Sequence, residues 1–92
     1  MKEKLFLWSG DMAAWHFLPV TQKVGKEIKK LFGGNTRGFG SLPVEVKIGN
    51  TVWKTSIFPD KSSGSYLLPV KAKVRQKEEL FAGEEVTFTI TL

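Results

Sequence analysis

The residues whose types could do chemistry in this chain are Arg37, Ser41, Trp53, Lys54, Ser56, Lys71 and Arg75. They are cations, hydroxyls and one indole, and they fall at strand ends and at the starts of turns. Arginine presents a planar fork suited to phosphate or carboxylate oxygens. The set therefore points to holding a small anionic ligand or a protein partner rather than to making or breaking bonds. Arg75 has a plainer use as well, an ion pair with Glu78 or Glu79 one helical turn on. Catalysis finds no support. His16 is the only histidine and has no orienting partner in sequence. Ser56, in KTSIF, is followed by neither a strand-to-helix elbow nor a histidine. With no cysteine and with the acids scattered, no metal-ligating pattern forms. The loop RGFGSLPV (Arg37 to Val44) lacks the Gly-Lys-Ser/Thr of a phosphate-binding loop. The expectation is a non-enzymatic binding module with neither metal nor cofactor.

The charge balance widens the choice of partner. The chain of 92 residues carries +5. Residues 1–49 hold eight basic and four acidic side chains, and residues 50–92 hold six and five. The excess sits in the first half and favours polyanions, nucleic acid included, although a solvated lysine-rich surface gives the same count. The absence of cysteine suits a reducing cytoplasm. The start, MKEKLFLWSGDM, lacks the apolar run and cleavage pattern of a signal peptide, and no stretch has the length of a membrane span. A cytoplasmic monomer or weak homodimer, away from membranes, is expected.

These side chains need a frame, and one tripeptide outlines it. Leu-Pro-Val occurs at Leu18, Leu42 and Leu68. The first and third copies align beyond the tripeptide itself, LPVTQKVGKEIKKLF against LPVKAKVRQKEELF. Proline cannot donate a ladder hydrogen bond and holds the residue before it extended, so Leu-Pro closes a strand and valine starts the swing into a helix. Strands are expected over Lys4 to Ser9, Ala14 to Val20, Val44 to Ile48, Thr51 to Phe58, Ser65 to Val70 and in VTFTITL. Val24, Ile28 and Leu31 recur as a helical stripe after Thr21, an N-cap residue, and Lys71 to Leu80 reads as a short second helix. Gly49-Asn50 reads as a hairpin turn between the halves. The three tryptophans are expected in the core. The whole is one mainly β domain, residues 1–92, with one or two short helices. Two pseudo-symmetric β-β-α-β halves, about 1–49 and 50–92, would close into a six-stranded double-split β-barrel.

Two resemblances sharpen this reading. LPVKAKVRQKEELFAGEEVTFTI resembles the core of AbrB/MazE-type swapped-hairpin domains: a strand, Leu-Pro, a basic helical turn with an arginine, Gly-Glu and a strand. That likeness implies an AbrB-like nucleic-acid-binding domain as the alternative function, with Arg75 matching an arginine that helps contact DNA. Over roughly residues 4–91, WHFLPV, RGFGSLPVEVKIGNTVWKTSIFP, YLLPVKAKVRQ and GEEV are similar to an uncharacterised, mostly bacterial family, domain of unknown function 1905. That resemblance implies a split barrel related to the AbrB type and no inherited activity. Family members are often fused ahead of a YdeI-type domain, which leaves open whether a separate YdeI-type chain is the partner. RGFGSLPV also resembles the first ribonucleoprotein motif of RNA-recognition domains, but Ser41 and Val44 stand where stacking aromatics belong.

Overall fold

The computed structural model describes residues 1–10, 14–32 and 40–92. The alternation of Leu42, Val44, Val46 and Ile48 with Pro43, Glu45 and Lys47 produces strand β4 (Leu42–Ile48), with the first set buried and the second exposed. It turns back through Gly49, at φ +56°, into β5 (Thr51–Asp60), in register from Ile48 opposite Thr51 to Leu42 opposite Ile57. Only glycine takes that turn conformation at no steric cost. β5 runs on through Pro59, past the expected end at Phe58. A second turn comes next, in which the Ser62 backbone and hydroxyl both donate to the Asp60 carboxylate. The chain then returns as β6 (Ser65–Pro69).

The repeated tripeptides meet. β3 (Ala14–Pro19) lies antiparallel to β6 with Leu18 opposite Leu68. The Val20 N–H donates to the Tyr66 carbonyl at 2.8 Å, and the Val70 N–H donates to the His16 carbonyl at 2.9 Å. Each bond maps onto the other by a shift of fifty residues. The proline in each copy brings no N–H to the ladder, and the valine after it makes the last bond before the chain leaves the sheet. Helix α1 (Gln22–Phe32) comes after the first copy and α2 (Ala72–Glu78) after the second. Thr21 accepts from the Val24 N–H at 3.4 Å, as an N-cap does. α1 buries Ile28 and half-buries Val24, while Leu31, expected on the same stripe, is exposed. α2 ends earlier than its sequence suggests, at Glu79, whose left-handed backbone directs the Leu80 N–H to the Arg75 carbonyl.

The first and last expected strands each divide. Lys4 to Ser9 becomes β1 (Lys2–Lys4), paired with β7 (Glu85–Thr87), and β2 (Phe6–Ser9), paired with β3. Between them the fully buried Leu5 exchanges backbone bonds with Glu84 and Gly83. VTFTITL divides at the buried Phe88, whose backbone bonds both ways with Met1, so β8 (Thr89–Thr91) joins β4 instead. A chain that changes partners needs one residue outside both ladders, and a buried apolar side chain anchors each change. Among the described residues there are thus eight strands in two antiparallel sheets. The larger runs β2-β3-β6-β5-β4-β8 and the smaller β1-β7. The larger sheet has the six strands expected, but β2 and β8 remain its two edges and do not pair into a closed barrel. The core gathers Leu5, Leu18, Val46, Ile57, Leu68 and Phe88 with flanking valines and isoleucines. Two of the three tryptophans are not in it: Trp8 is 53% and Trp15 50% exposed, because β2 is an edge and both rings face outward. Among the described residues, no helix is long and apolar enough to cross a membrane.

Candidate functional site

The ladder between β5 and β6 is short. It holds Phe58, Pro59 and Asp60 opposite Leu67, Tyr66 and Ser65, and there it stops. β6 continues against β3 toward Val70, while β5 continues against β4 toward Thr51. The two strands part, and a cleft of about 200 Å³ opens between them. Trp53 and Thr55 line it from β5, Pro69 and Val70 from the end of β6, and Trp15 from β3, with Lys54 and Lys71 exposed around it. Strand divergence thus brings together three of the residues singled out by sequence: Trp53, Lys54 and Lys71. Arg75 is half-buried in a neighbouring depression with His16. Ser56 sits opposite Pro43 on β4, and Ser41 stands at the entry to that strand; neither lines the cleft. Arg37 lies outside the described residues.

Trp53 is nine-tenths buried, and among the described residues its Nε1–H has no acceptor. An orphaned buried donor costs about 1–3 kcal/mol, so this one calls for an acceptor beyond the described residues. The same indole lines a second depression of about 180 Å³ under α2, where Lys71, Lys73 and Lys77 gather with no acid among the lining residues. Lys54, by contrast, has Glu45 opposite it across the β4–β5 ladder. Among the described residues, the positive charge beside Trp53 therefore comes chiefly from Lys71, the N-cap of α2, and from Lys73 and Lys77 on the helix, with Glu78 held at Thr51 nearby. A broader hollow of about 310 Å³ lies beside Lys54, against Glu45, Thr91 and Leu92, and among the described residues it contains no orphaned group.

The two halves differ at the crossover. In the first, Gly25 of α1 lies against Ser65, which is buried and donates to the carbonyls of Val20 at 2.8 Å and Thr21 at 3.3 Å. Fifty residues away the matching pair is Arg75 and Trp15. Two small residues seal one crossover, whereas two large ones leave the other open. The Arg75 Nε donates to the Val70 carbonyl at 3.1 Å, so this side chain caps its own crossover as Ser65 caps the other. Glu78, which helical spacing offers as a partner for Arg75, instead accepts from the Thr51 hydroxyl at 2.6 Å. Among the described residues, the buried His16 Nδ1 has no partner. Partial burial and then the nearby Arg75 charge hold its pKa below the ordinary value. Whereas Trp53 was also singled out for the site, Trp15 is the lining tryptophan that sequence reading assigned to the core alone. The signal that could have found it is the alignment itself, where Gly25 and Ser65 match Arg75 and Trp15.

Chemically, the cleft offers an apolar, ring-walled floor with ammonium groups around it, and one of its lining rings, Trp53, carries the buried N–H. That combination suits an anion carrying a flat or apolar body. One family model matches, described as Domain of unknown function (DUF1905), over residues 2–90. No curated protein and no solved structure matches the chain.

Proposed function

The chain belongs to the DUF1905 family, and from its cleft we propose that it is a non-enzymatic binding module for a small anionic ligand or an acidic segment of a protein partner. Its two β-β-α-β halves would form a double-split barrel of AbrB-related type, with one split serving as the binding site. The observation that carries the reading is the orphaned Trp53 Nε1–H in a cleft flanked by Lys71. An anionic oxygen seated there accepts from the indole and faces the α2 lysines. Trp15 and Pro69 cover its apolar side.

The test is a titration with inorganic pyrophosphate followed by tryptophan fluorescence and calorimetry. Trp53→Phe preserves a ring but removes the donor. A hydrogen bond to a charged acceptor is worth about 1.5–3 kcal/mol, so affinity should fall roughly tenfold or more. Unchanged affinity in Trp53→Phe would remove the indole from the site. A second reading, the AbrB-like nucleic-acid module, is favoured by the grouping of Lys71, Lys73 and Lys77. It predicts duplex DNA binding that weakens steeply with salt.

A further inference from the structure

The outer face of the large sheet carries a row of aromatic rings. Facing residues of paired strands share a face, as do alternate residues within a strand. Phe6 lies opposite Phe17 and Trp8 opposite Trp15, so these four rings stand together. Across β6 the same face continues through Pro69 and Leu67 to Phe58 on β5. Phe6 and Phe17 are 5.8 Å apart between centroids, and Trp15 and Phe17 are stacked at 6.3 Å with 13° between planes. Most of the rings are open to solvent: Trp8 and Trp15 expose about half their surface and Phe58 43%, while Phe17 between them is half-buried. Trp15 belongs to this row and also lines the cleft, where Lys71 begins the lysine-lined furrow. An aromatic track thus runs into a cationic one.

We propose that this continuous track binds a short single-stranded nucleic acid, with bases stacked on Trp8, Trp15 and Phe58 and phosphates at Lys71, Lys73 and Lys77. The inference rests on the anion-binding reading of the cleft and names the ligand class. Aromatic platforms beside a positive groove hold single strands without regard to sequence, since every base has a π-face. A duplex hides those faces, so the rings select the single strand. Three strand spacings, about 14 Å, separate β2 from β5, enough for several stacked bases. Charge complementarity supports this occupant over a second copy of the chain, because each copy would bring its own positive charge. Area argues the same way. Four half-exposed rings offer on the order of 400 Å² per copy, about half the ~800 Å² that each partner buries in a standard interface.

The test is fluorescence anisotropy with a labelled twelve-nucleotide oligothymidylate, and with a duplex of equal length, at about 50 and 200 mM salt. The single strand should bind at least tenfold more tightly than the duplex. Trp8→Ser combined with Trp15→Ser should weaken binding roughly 10- to 100-fold, and Lys71→Glu combined with Lys73→Glu should both weaken it and flatten its salt dependence. Phe58→Ser, on the far strand of the row, serves as a milder variant should the double tryptophan change unfold the sheet; it should weaken binding several-fold. Duplex binding equal to single-strand binding, full affinity in the ring variants, or no binding at 50 mM salt overturns the proposal. So does sedimentation showing a dimer that Trp8→Ser dissolves, which would give the face to a second copy. Inorganic pyrophosphate run alongside separates the two levels. If it binds at Trp53 while the oligonucleotide does not, only the nucleic-acid inference fails; if neither binds, the anion reading fails with it.

Discussion

Gly25→Ala is the sharpest probe of how the sealed crossover differs from the open one. On helix propensity alone, alanine inside α1 should stabilise the protein by about 1 kcal/mol. The packing says otherwise. A methyl group at Gly25 would run into the Ser65 hydroxyl and come within 2.8 Å of its Cβ and 3.2 Å of its Cα. Rotating the hydroxyl away does not relieve this, because the Ser65 Cβ is itself too close. β6 must therefore shift from α1, an overpacking cost of about 1–3 kcal/mol. The Ser65 hydroxyl also loses the one bifurcated bond that it shares between the Val20 and Thr21 carbonyls, about 1 kcal/mol in all. After the propensity gain, the net loss is about 2 kcal/mol. For a domain of this size that lowers Tm by roughly 8–16 °C. Thermal melts by circular dichroism measure it directly. Adding Ser65→Gly to Gly25→Ala should return part of the loss, since the nearest remaining atom is then the backbone Cα. A Gly25→Ala protein that melts several degrees higher than wild type would rule out the close approach and the sealed crossover with it.

Glu78 ties α2 to the β4–β5 turn through the Thr51 hydroxyl, and Gly49 packs against its carboxyl group. Glu78→Ala should cost about 1–2 kcal/mol in urea denaturation. Gly49→Ala should cost about as much, from its positive φ and because the added Cβ would come within 3.0 Å of the Glu78 Cδ. The two losses should be less than additive. His16 supplies a pH dependence: its folded pKa lies below the unfolded one, so its contribution is complete above the unfolded value near 6.5 and declines as pH falls toward the folded pKa. Urea midpoints between about pH 7.5 and 5 should fall less in His16→Gln than in wild type. Arg75→Gln should move the His16 titration upward by NMR, and an unmoved titration would remove Arg75 from its surroundings.

Alternation and repetition were the parts of the fold that could be read directly. Val44, Val46 and Ile48 against Glu45 and Lys47 specify both the β4–β5 hairpin and its buried face, because a slip of one residue would turn every side chain over. The fifty-residue spacing of Leu-Pro-Val anticipates two equivalent strand ends, and Leu18 does lie opposite Leu68. The divisions at Leu5 and Phe88 left no such trace. Each interrupts an unbroken apolar pattern, and the change of partner is set by tertiary pairing rather than by local preference. Hydrophobicity likewise sends Trp8 and Trp15 to the core, whereas edge position and the direction of the face put them outside. For the site, residue chemistry selected Trp53, Lys54 and Lys71, which the parting of β5 and β6 unites. It also selected Ser41 and Ser56, which that parting leaves aside, since divergence between two strands has no signature in either strand alone. Glu78 shows the same limit: helical spacing suggests Arg75 as its partner, and the nearby hairpin supplies Thr51 instead.

An anion-binding cleft is tested at its floor by the indole region of a ¹⁵N–¹H spectrum during titration with inorganic pyrophosphate. Three tryptophans give three Nε1–H signals, and Trp53→Phe identifies the one that matters by deleting it. If the cleft takes anions, the Trp53 signal moves downfield and saturates as its N–H gains an acceptor, and Lys71→Ala weakens the titration a few-fold. A Trp53 signal that stays in place while pyrophosphate binds elsewhere, or does not bind at all, would show that the cleft is not an anion site.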